Sequence, residues 1–130
     1  MSENIKQYVP KHRLDNFHIE ELYQLKDSDI KIISYELLVW LKDMSQPISK
    51  ELVPLLILKH NGLSESIIKI FDDLKEDSIL KYNIINYVLK ELSDNDLKIY
   101  SNSLNRIVEK PTKYEKFYET NIVAKEILKR

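Results

Sequence analysis

The chain has 130 residues, 43% hydrophobic and 32% charged, with 20 Lys and Arg against 21 Asp and Glu for a net charge of -1. A single glycine leaves no material for phosphate-cradling loops, tight hairpins or dinucleotide-binding turns, and the lack of cysteine excludes disulfides, thiolate chemistry and cysteine-based zinc sites. The near-neutral total supplies no overall field for gathering nucleic acid. Along the chain, helical periodicity dominates and strand-like alternation is rare. Residues 1–14 are polar, carry Pro10 and lack the apolar stretch of a signal peptide, which predicts an irregular arm. A short helix is expected over residues 15–25, with Phe17, Leu22 and Leu25 on its inner side. A second, capped by Ser28 or Asp29, runs to residue 42 on Ile30, Ile33, Leu37, Leu38 and Leu41, the spacing of a buried face. Residues 43–46 interrupt it, and Pro47 suits the first turn of the next helix, where a missing N–H costs nothing. That third helix extends to residue 59 with Pro54 as an internal kink, and Asn61-Gly62 reads as a stop. Two more follow, residues 64–74 on Ile67, Ile68, Phe71 and Leu74, and residues 77–92 on Leu80, Ile84, Ile85, Val88 and Leu89. Ser93 opens a capping-box-like Ser-Asp-Asn-Asp ahead of a sixth helix that runs to residue 109 and stops before Pro111. Thr112-Lys113-Tyr114-Glu115 is a second capping box, leading to a last helix on Val123, Ile127 and Leu128.

No linker rich in Pro, Gly or Ser divides the chain, so a single domain over residues 1–130 is expected. Shifting the third helix by 32 residues onto the fifth matches Ile48 with Leu80, Leu52 with Ile84 and Leu56 with Val88. Shifting the second by 33 onto the fourth matches Leu37 with Ile70 and Leu41 with Leu74. Stacked antiparallel pairs of that length form an α-solenoid. The expected fold is therefore all-α: a short right-handed, HEAT-like solenoid of about three helical hairpins with an extra N-terminal arm and helix. No apolar run approaches the ~20 residues of a membrane helix, so a cytoplasmic protein that does not enter membranes is expected.

Three stretches carry a resemblance: Pro10-Lys11-His12-Arg13-Leu14-Asp15, then Trp40-Leu41-Lys42-Asp43-Met44-Ser45-Gln46-Pro47-Ile48, then Ile107 to Thr112 together with Val123 to Leu128. In order and spacing the chain resembles a family of small, mostly bacterial proteins described only as a domain of unknown function, which is similar to HEAT-type helical repeats. The family's middle motif reads Trp-Leu-x-Asp-Met-Asn-Trp-Pro. Trp40, Leu41, Asp43, Met44 and Pro47 match it, while Ser45 and Gln46 replace the Asn and the second Trp. The resemblance implies a helical-repeat fold and no particular activity, and the missing second Trp argues against a role that depends on paired aromatics in this loop.

Trp40, Asp43, Met44 and Pro47 form the most distinctive stretch. Structurally, Trp40 would fill a seam between helix pairs and Asp43 would accept backbone N–H groups at the start of the third helix. Functionally, the same residues would present an aromatic and an acid to a partner. His12, with Asp15 and Asp43, is the one set from which a general acid–base site could be assembled, given a pocket and an orienting carboxylate. No His pair stands at i, i+4 and no HExxH occurs, so neither a metal nor a cofactor is expected. Eight tyrosines suit half-buried boundary positions or a binding face, Tyr82 among them. Charge is uneven: residues 72–96, including Asp72 and Asp73, carry seven acids against three lysines for a net of -4, and residues 105–130 carry a net of +3. An acidic edge of this kind repels nucleic acid and docks a basic partner.

The sequence thus supports a non-catalytic module that binds another protein through one face of a small solenoid, with Trp40, Asp43, Met44, Pro47, His12, Tyr82, Asp72 and Asp73 as candidate contacts. Three alternatives are carried beside it: an immunity- or antitoxin-like protein that binds a bacterial effector, a small enzyme with a site near His12, Asp15 and Asp43, and a nucleic-acid-binding helical repeat. Oligomeric state is not encoded in any feature of the sequence.

Overall fold

The computed structural model describes residues 4–130, and every regular element among them is helical. Residues 1–3 of the expected irregular arm lie outside the described residues. The chain divides into two compact units, Met1–Ser66 and Ile67–Arg130.

In the first unit the arm is not wholly irregular. Ile5–Tyr8 forms a 3-10 turn, capped by the Asn4 side chain accepting from the Lys6 N–H. Helix α1 covers Ile19–Gln24, shorter than expected, because residues 11–18 are held in turns by side-chain bonds. Phe17 therefore lies outside the helix and is exposed rather than turned inward. The expected second helix is a broken rod: α2 (Asp27–Ile32), α3 (Ser34–Leu38) and a 3-10 turn at Val39–Lys42. The break falls at Ile33, whose backbone leaves helical values (φ -111, ψ 13). Beside it the Ser34 hydroxyl bonds back to the Lys31 carbonyl, the competition by which serine disrupts a helix interior. Neither Ser28 nor Asp29 caps this rod; Asp27 and Asp29 instead occupy its first turn, where their charge suits the helix dipole.

Helix α4 (Pro47–Leu58) begins at Pro47 as anticipated and runs through Pro54. Only Lys59 separates it from α5 (His60–Asp72), so Gly62 is no stop signal and lies inside a helix. Its role is spatial. A Cβ there would stand 2.8 Å from the Asp27 carbonyl oxygen and 2.9 Å from the Ile30 Cβ, so glycine lets α5 approach α2. The core of this unit is built by Leu22, Ile30, Leu37, Leu41, Leu52 and Leu55, all fully buried.

In the second unit, the end of α5 is followed by a turn at residues 73–77. Leu74, expected on the inner stripe, falls in that turn and is exposed. Helix α6 (Ser78–Asn83) starts where the sequence indicates, with the Asp77 carboxylate accepting from the N–H groups of Ile79 (2.7 Å) and Leu80 (3.2 Å). It continues as a wide π turn, Ile84–Val88, and a 3-10 turn, Leu89–Glu91. Ser93 caps α7 (Asp94–Leu97) through the Asp96 N–H, and a 3-10 turn at Lys98–Tyr100 leads into α8 (Ser101–Glu109). The Thr112–Glu115 capping box is complete in both directions and starts α9 (Lys113–Phe117). The expected single last helix is split at Glu119, a left-handed residue (φ 60), before α10 (Thr120–Leu128). Phe71, Leu80, Ile84, Val88, Leu104 and Ile107 are fully buried or nearly so, and Phe71 meets the edge of Tyr100 at 6.3 Å between ring centroids.

Candidate functional site

In the first unit the structure brings the arm and the Trp40–Pro47 loop together. The Ile48 N–H donates to the Arg13 carbonyl (3.0 Å), and the Asn16 amide reaches Glu51 (3.4 Å). The chemistry-bearing groups, however, are engaged in their own loops. Asp15 accepts the N–H groups of Lys11 (2.9 Å) and Phe17 (3.3 Å); the Lys11 bond, aided by Phe17 and by the nearby His12 and Lys11 charges, holds its carboxyl below the usual aspartate value. The His12 Nδ1 accepts the Leu14 N–H (3.3 Å). Asp43 accepts the Ser45 hydroxyl (2.6 Å), the Ser45 N–H (2.9 Å) and the Gln46 amide (3.5 Å), and the Ser45 hydroxyl is the main cause of its lowered pKa. Among the described residues no hydrogen bond or ion pair joins His12 to either carboxylate. Trp40 and Met44 are half-buried, Pro47 is exposed, and the Trp40 carbonyl accepts the buried Ser49 hydroxyl.

In the second unit the acidic turn also has local structural duties. Asp72 accepts the Ser103 hydroxyl (2.8 Å), Asp73 accepts the Lys75 N–H (2.9 Å), and Asp77 caps α6. Below this turn lies a charged cluster that the sequence reading missed. Lys81 and Glu115 are 0% exposed and stand 2.8 Å apart, and Arg106 reaches the same carboxylate through both terminal nitrogens (2.6 and 3.0 Å). Lys81 also donates to the Asp73 carbonyl (2.8 Å), and Arg106 to the Phe71 carbonyl. These are the carbonyls at the end of α5, where a helix has unsatisfied acceptors and the negative pole of its dipole. Two cations against one carboxylate are therefore balanced by the end of a helix. Burial raises the Glu115 pKa, but the Arg106 and Lys81 bonds and the Thr112 N–H outweigh it and hold the carboxyl below its ordinary value. A signal for Lys81 exists in the sequence: it stands at i, i+4 and i+7 with Ile85 and Val88, on the apolar face. Tyr100 is likewise fully buried, and burial, with Asp96 nearby, pushes its phenol up to about 12.

Three hollows succeed one another along the seam where α9 and α10 meet α6 and its continuation. The first, of about 460 Å³, is walled by Leu74, Lys75, Asp77, Ile79, Tyr114 and Tyr118. The second, of about 220 Å³, lies between Tyr82 and Glu119, Ile122, Val123 and Glu126. The third, of about 100 Å³, shares Val123 and Glu126 and extends to Ile85, Lys90 and Arg130. One wall climbs at intervals of three or four residues through Ile79, Tyr82, Asn86 and Lys90, the other every four through Tyr114, Tyr118, Ile122, Glu126 and Arg130. From residue 78 to residue 90 the seam spans about 18 Å at helical rise. Its outer edge is rich in unburied apolar surface: Leu74 is 60% exposed, Tyr114 63%, Phe117 73% and Tyr118 40%. Of the sequence candidates, Tyr82 lies in this groove, half-buried. Asp72 and Asp73 are exposed on the turn at one end.

A family model described as a domain of unknown function, DUF5071, matches residues 8–128. The chain belongs to the DUF5071 family. The match spans both the Trp40–Pro47 loop and the seam groove, so both surfaces are part of the DUF5071 domain. No curated protein matches the chain. Among the described residues of this DUF5071 protein, no group of three His, Asp or Glu side chains could hold a metal ion, and no helix is long and apolar enough to cross a membrane.

Proposed function

We propose that this DUF5071 protein is a non-catalytic, cytoplasmic protein-binding module built on a short HEAT-like helical scaffold, and that it holds its partner in the groove along α6, α9 and α10. The observation that carries this reading is the exposed aromatic edge of that groove, Tyr114, Phe117 and Tyr118, beside a recess of about 460 Å³. Contiguous apolar surface left in water marks interaction sites, and tyrosine and phenylalanine are enriched at the centres of protein interfaces. Tyrosine suits the task because a large rigid ring gives contact area while its hydroxyl tolerates water when the groove is empty. The acidic turn at the groove's end and the self-satisfied hydrogen bonds of His12, Asp15 and Asp43 favour recognition over acid–base catalysis.

Affinity capture from native lysate with the wild-type chain and with the Tyr114→Ala/Tyr118→Ala variant tests the reading. Both side chains are exposed, so the variant retains the wild-type circular dichroism spectrum and melting temperature. A specific prey held by the wild type and released by the variant is the expected result. A prey set identical for both proteins would remove the groove from the account.

A further inference from the structure

The middle of the groove differs chemically from its ends. Around the hollow of about 220 Å³ stand one aromatic ring, Tyr82, two apolar side chains, Ile122 and Val123, and two carboxylates, Glu119 and Glu126, with no basic side chain among them. Neither carboxylate has a hydrogen bond or ion pair among the described residues. The basic groups of the groove line the two neighbouring hollows, Lys75 the first and Lys90 and Arg130 the third, and Arg130 is already held by the Lys90 and Leu92 carbonyls (3.0 and 2.8 Å) and by Asp94 (3.3 Å). Glu119 is unusual for its position. It adopts the left-handed conformation that residues other than glycine rarely take, and its side chain makes no capping bond to α10. The glutamate therefore has no structural duty that glycine would not perform better. Glu119 lines the hollow from just ahead of α10 and Glu126 from within it, seven residues apart in the chain.

Resting on the protein-binding reading above, we infer that this hollow is an anionic pocket that receives a lysine or arginine side chain from the partner segment in the groove. The chemistry is complementary on each side. An alkyl stem packs on Ile122 and Val123, the cationic head lies against the Tyr82 ring, where a cation–π attraction operates, and Glu119 and Glu126 supply the counter-charge. Seven residues at helical rise place the two glutamates' backbone positions about 10 Å apart, a spacing matched by an extended segment with basic residues three positions apart at about 3.3 Å per residue.

The test is an amide chemical-shift titration of the full chain with three blocked tetrapeptides: acetyl-Arg-Leu-Leu-Arg amide, acetyl-Ala-Leu-Leu-Ala amide and acetyl-Glu-Leu-Leu-Glu amide. The expected result is a saturable set of shifts from the arginine peptide, concentrated at residues 79–86 and 118–126. Its dissociation constant should be at least tenfold tighter than that of the neutral peptide, weakened by added salt, and raised at least tenfold in Glu119→Gln/Glu126→Gln. Both substitutions are at exposed positions, so the variant's unperturbed spectrum reports an intact fold. If all three peptides shift the groove residues alike, or if the double variant binds the arginine peptide as the wild type does, the cation pocket is refuted and the protein-binding groove stands. If no peptide shifts any groove residue, both the pocket and the groove fall.

Discussion

Removing the Glu115 carboxylate should be among the most damaging single changes in the second unit, and its cost can be worked from the contacts. The carboxylate accepts four bonds: from Lys81 (2.8 Å), from the two terminal nitrogens of Arg106 (2.6 and 3.0 Å) and from the Thr112 N–H (2.8 Å). In Glu115→Ala, Lys81 keeps its charge at 0% exposure with only a carbonyl for company. An uncompensated buried charge costs about 3–5 kcal/mol, and the lost half of the capping box adds about 1 kcal/mol. Lys81→Met is milder, because Glu115 retains Arg106 and Thr112 while the thioether chain fills a similar volume. Its main penalty is the loss of the charged bonds from Lys81 to Glu115 and to the Asp73 carbonyl, which keeps the Glu76 N–H, about 1–3 kcal/mol. Urea unfolding at pH 7, followed by circular dichroism at 222 nm, separates the two. With a slope of about 1.5 kcal/mol/M, the midpoint should fall by about 3 M for Glu115→Ala and by about 1 M for Lys81→Met. A Glu115→Ala loss below about 1.5 kcal/mol, or one smaller than that of Lys81→Met, would show that Glu115 is not the counter-charge on which the cluster depends.

Gly62→Ala should destabilise the chain by about 1–3 kcal/mol through overpacking against the Asp27 carbonyl, despite alanine's higher helix propensity; a rise in melting temperature would refute the close approach of α5 to α2. Glu119→Gly should stabilise by about 1 kcal/mol by relieving the left-handed backbone, and an unchanged or lower melting temperature would contradict it. The folded-state pKa of Glu115 lies below its ordinary value of 4.5, so the stability it contributes is present above that value and lost as pH falls through the lower one. Asp15 and Asp43 act with the same sign. Urea midpoints should therefore drop between about pH 5 and pH 3, and less steeply in Glu115→Gln; equal slopes for wild type and variant would remove Glu115 as a contributor.

Helix content and most helix starts were legible because they depend on local rules. The caps at Asp77, Ser93 and Thr112 and the proline at Pro47 follow from side chains within three residues of the backbone groups they serve. The breaks at Ile33 and Glu119 were not legible, since apolar periodicity continues through each of them. Gly62 was misread for a different reason. Its need for a bare Cα comes from Asp27 and Ile30, more than 30 residues earlier in the chain, and no local pattern distinguishes that from a helix stop. Phe17 and Leu74 were assigned inward by spacing alone, but each stands beyond the end of its helix, where the period no longer applies.

The candidate site followed the same division. Tyr82 was legible as a half-buried aromatic, and the Thr112–Glu115 box as a helix start. Lys81 and Arg106 were not singled out because their shared partner is 34 and 9 residues away, respectively, and only the fold makes them neighbours. The groove was invisible for a related reason. Its two walls are helical stripes that look like ordinary amphipathic edges until α9 and α10 are placed against α6.

The central claim, that the seam along α6, α9 and α10 holds a partner protein, is tested most directly by site-specific photo-crosslinking in cells that produce the protein. A benzophenone amino acid would be placed at Tyr118 or Ile122 in the groove and, as a control, at exposed Asn102 on α8. The account predicts one discrete adduct with another protein from both groove positions and none from Asn102, with the adduct lost in Glu119→Gln/Glu126→Gln. Equal adducts from Asn102 and the groove, or no adduct from either groove position, would contradict it.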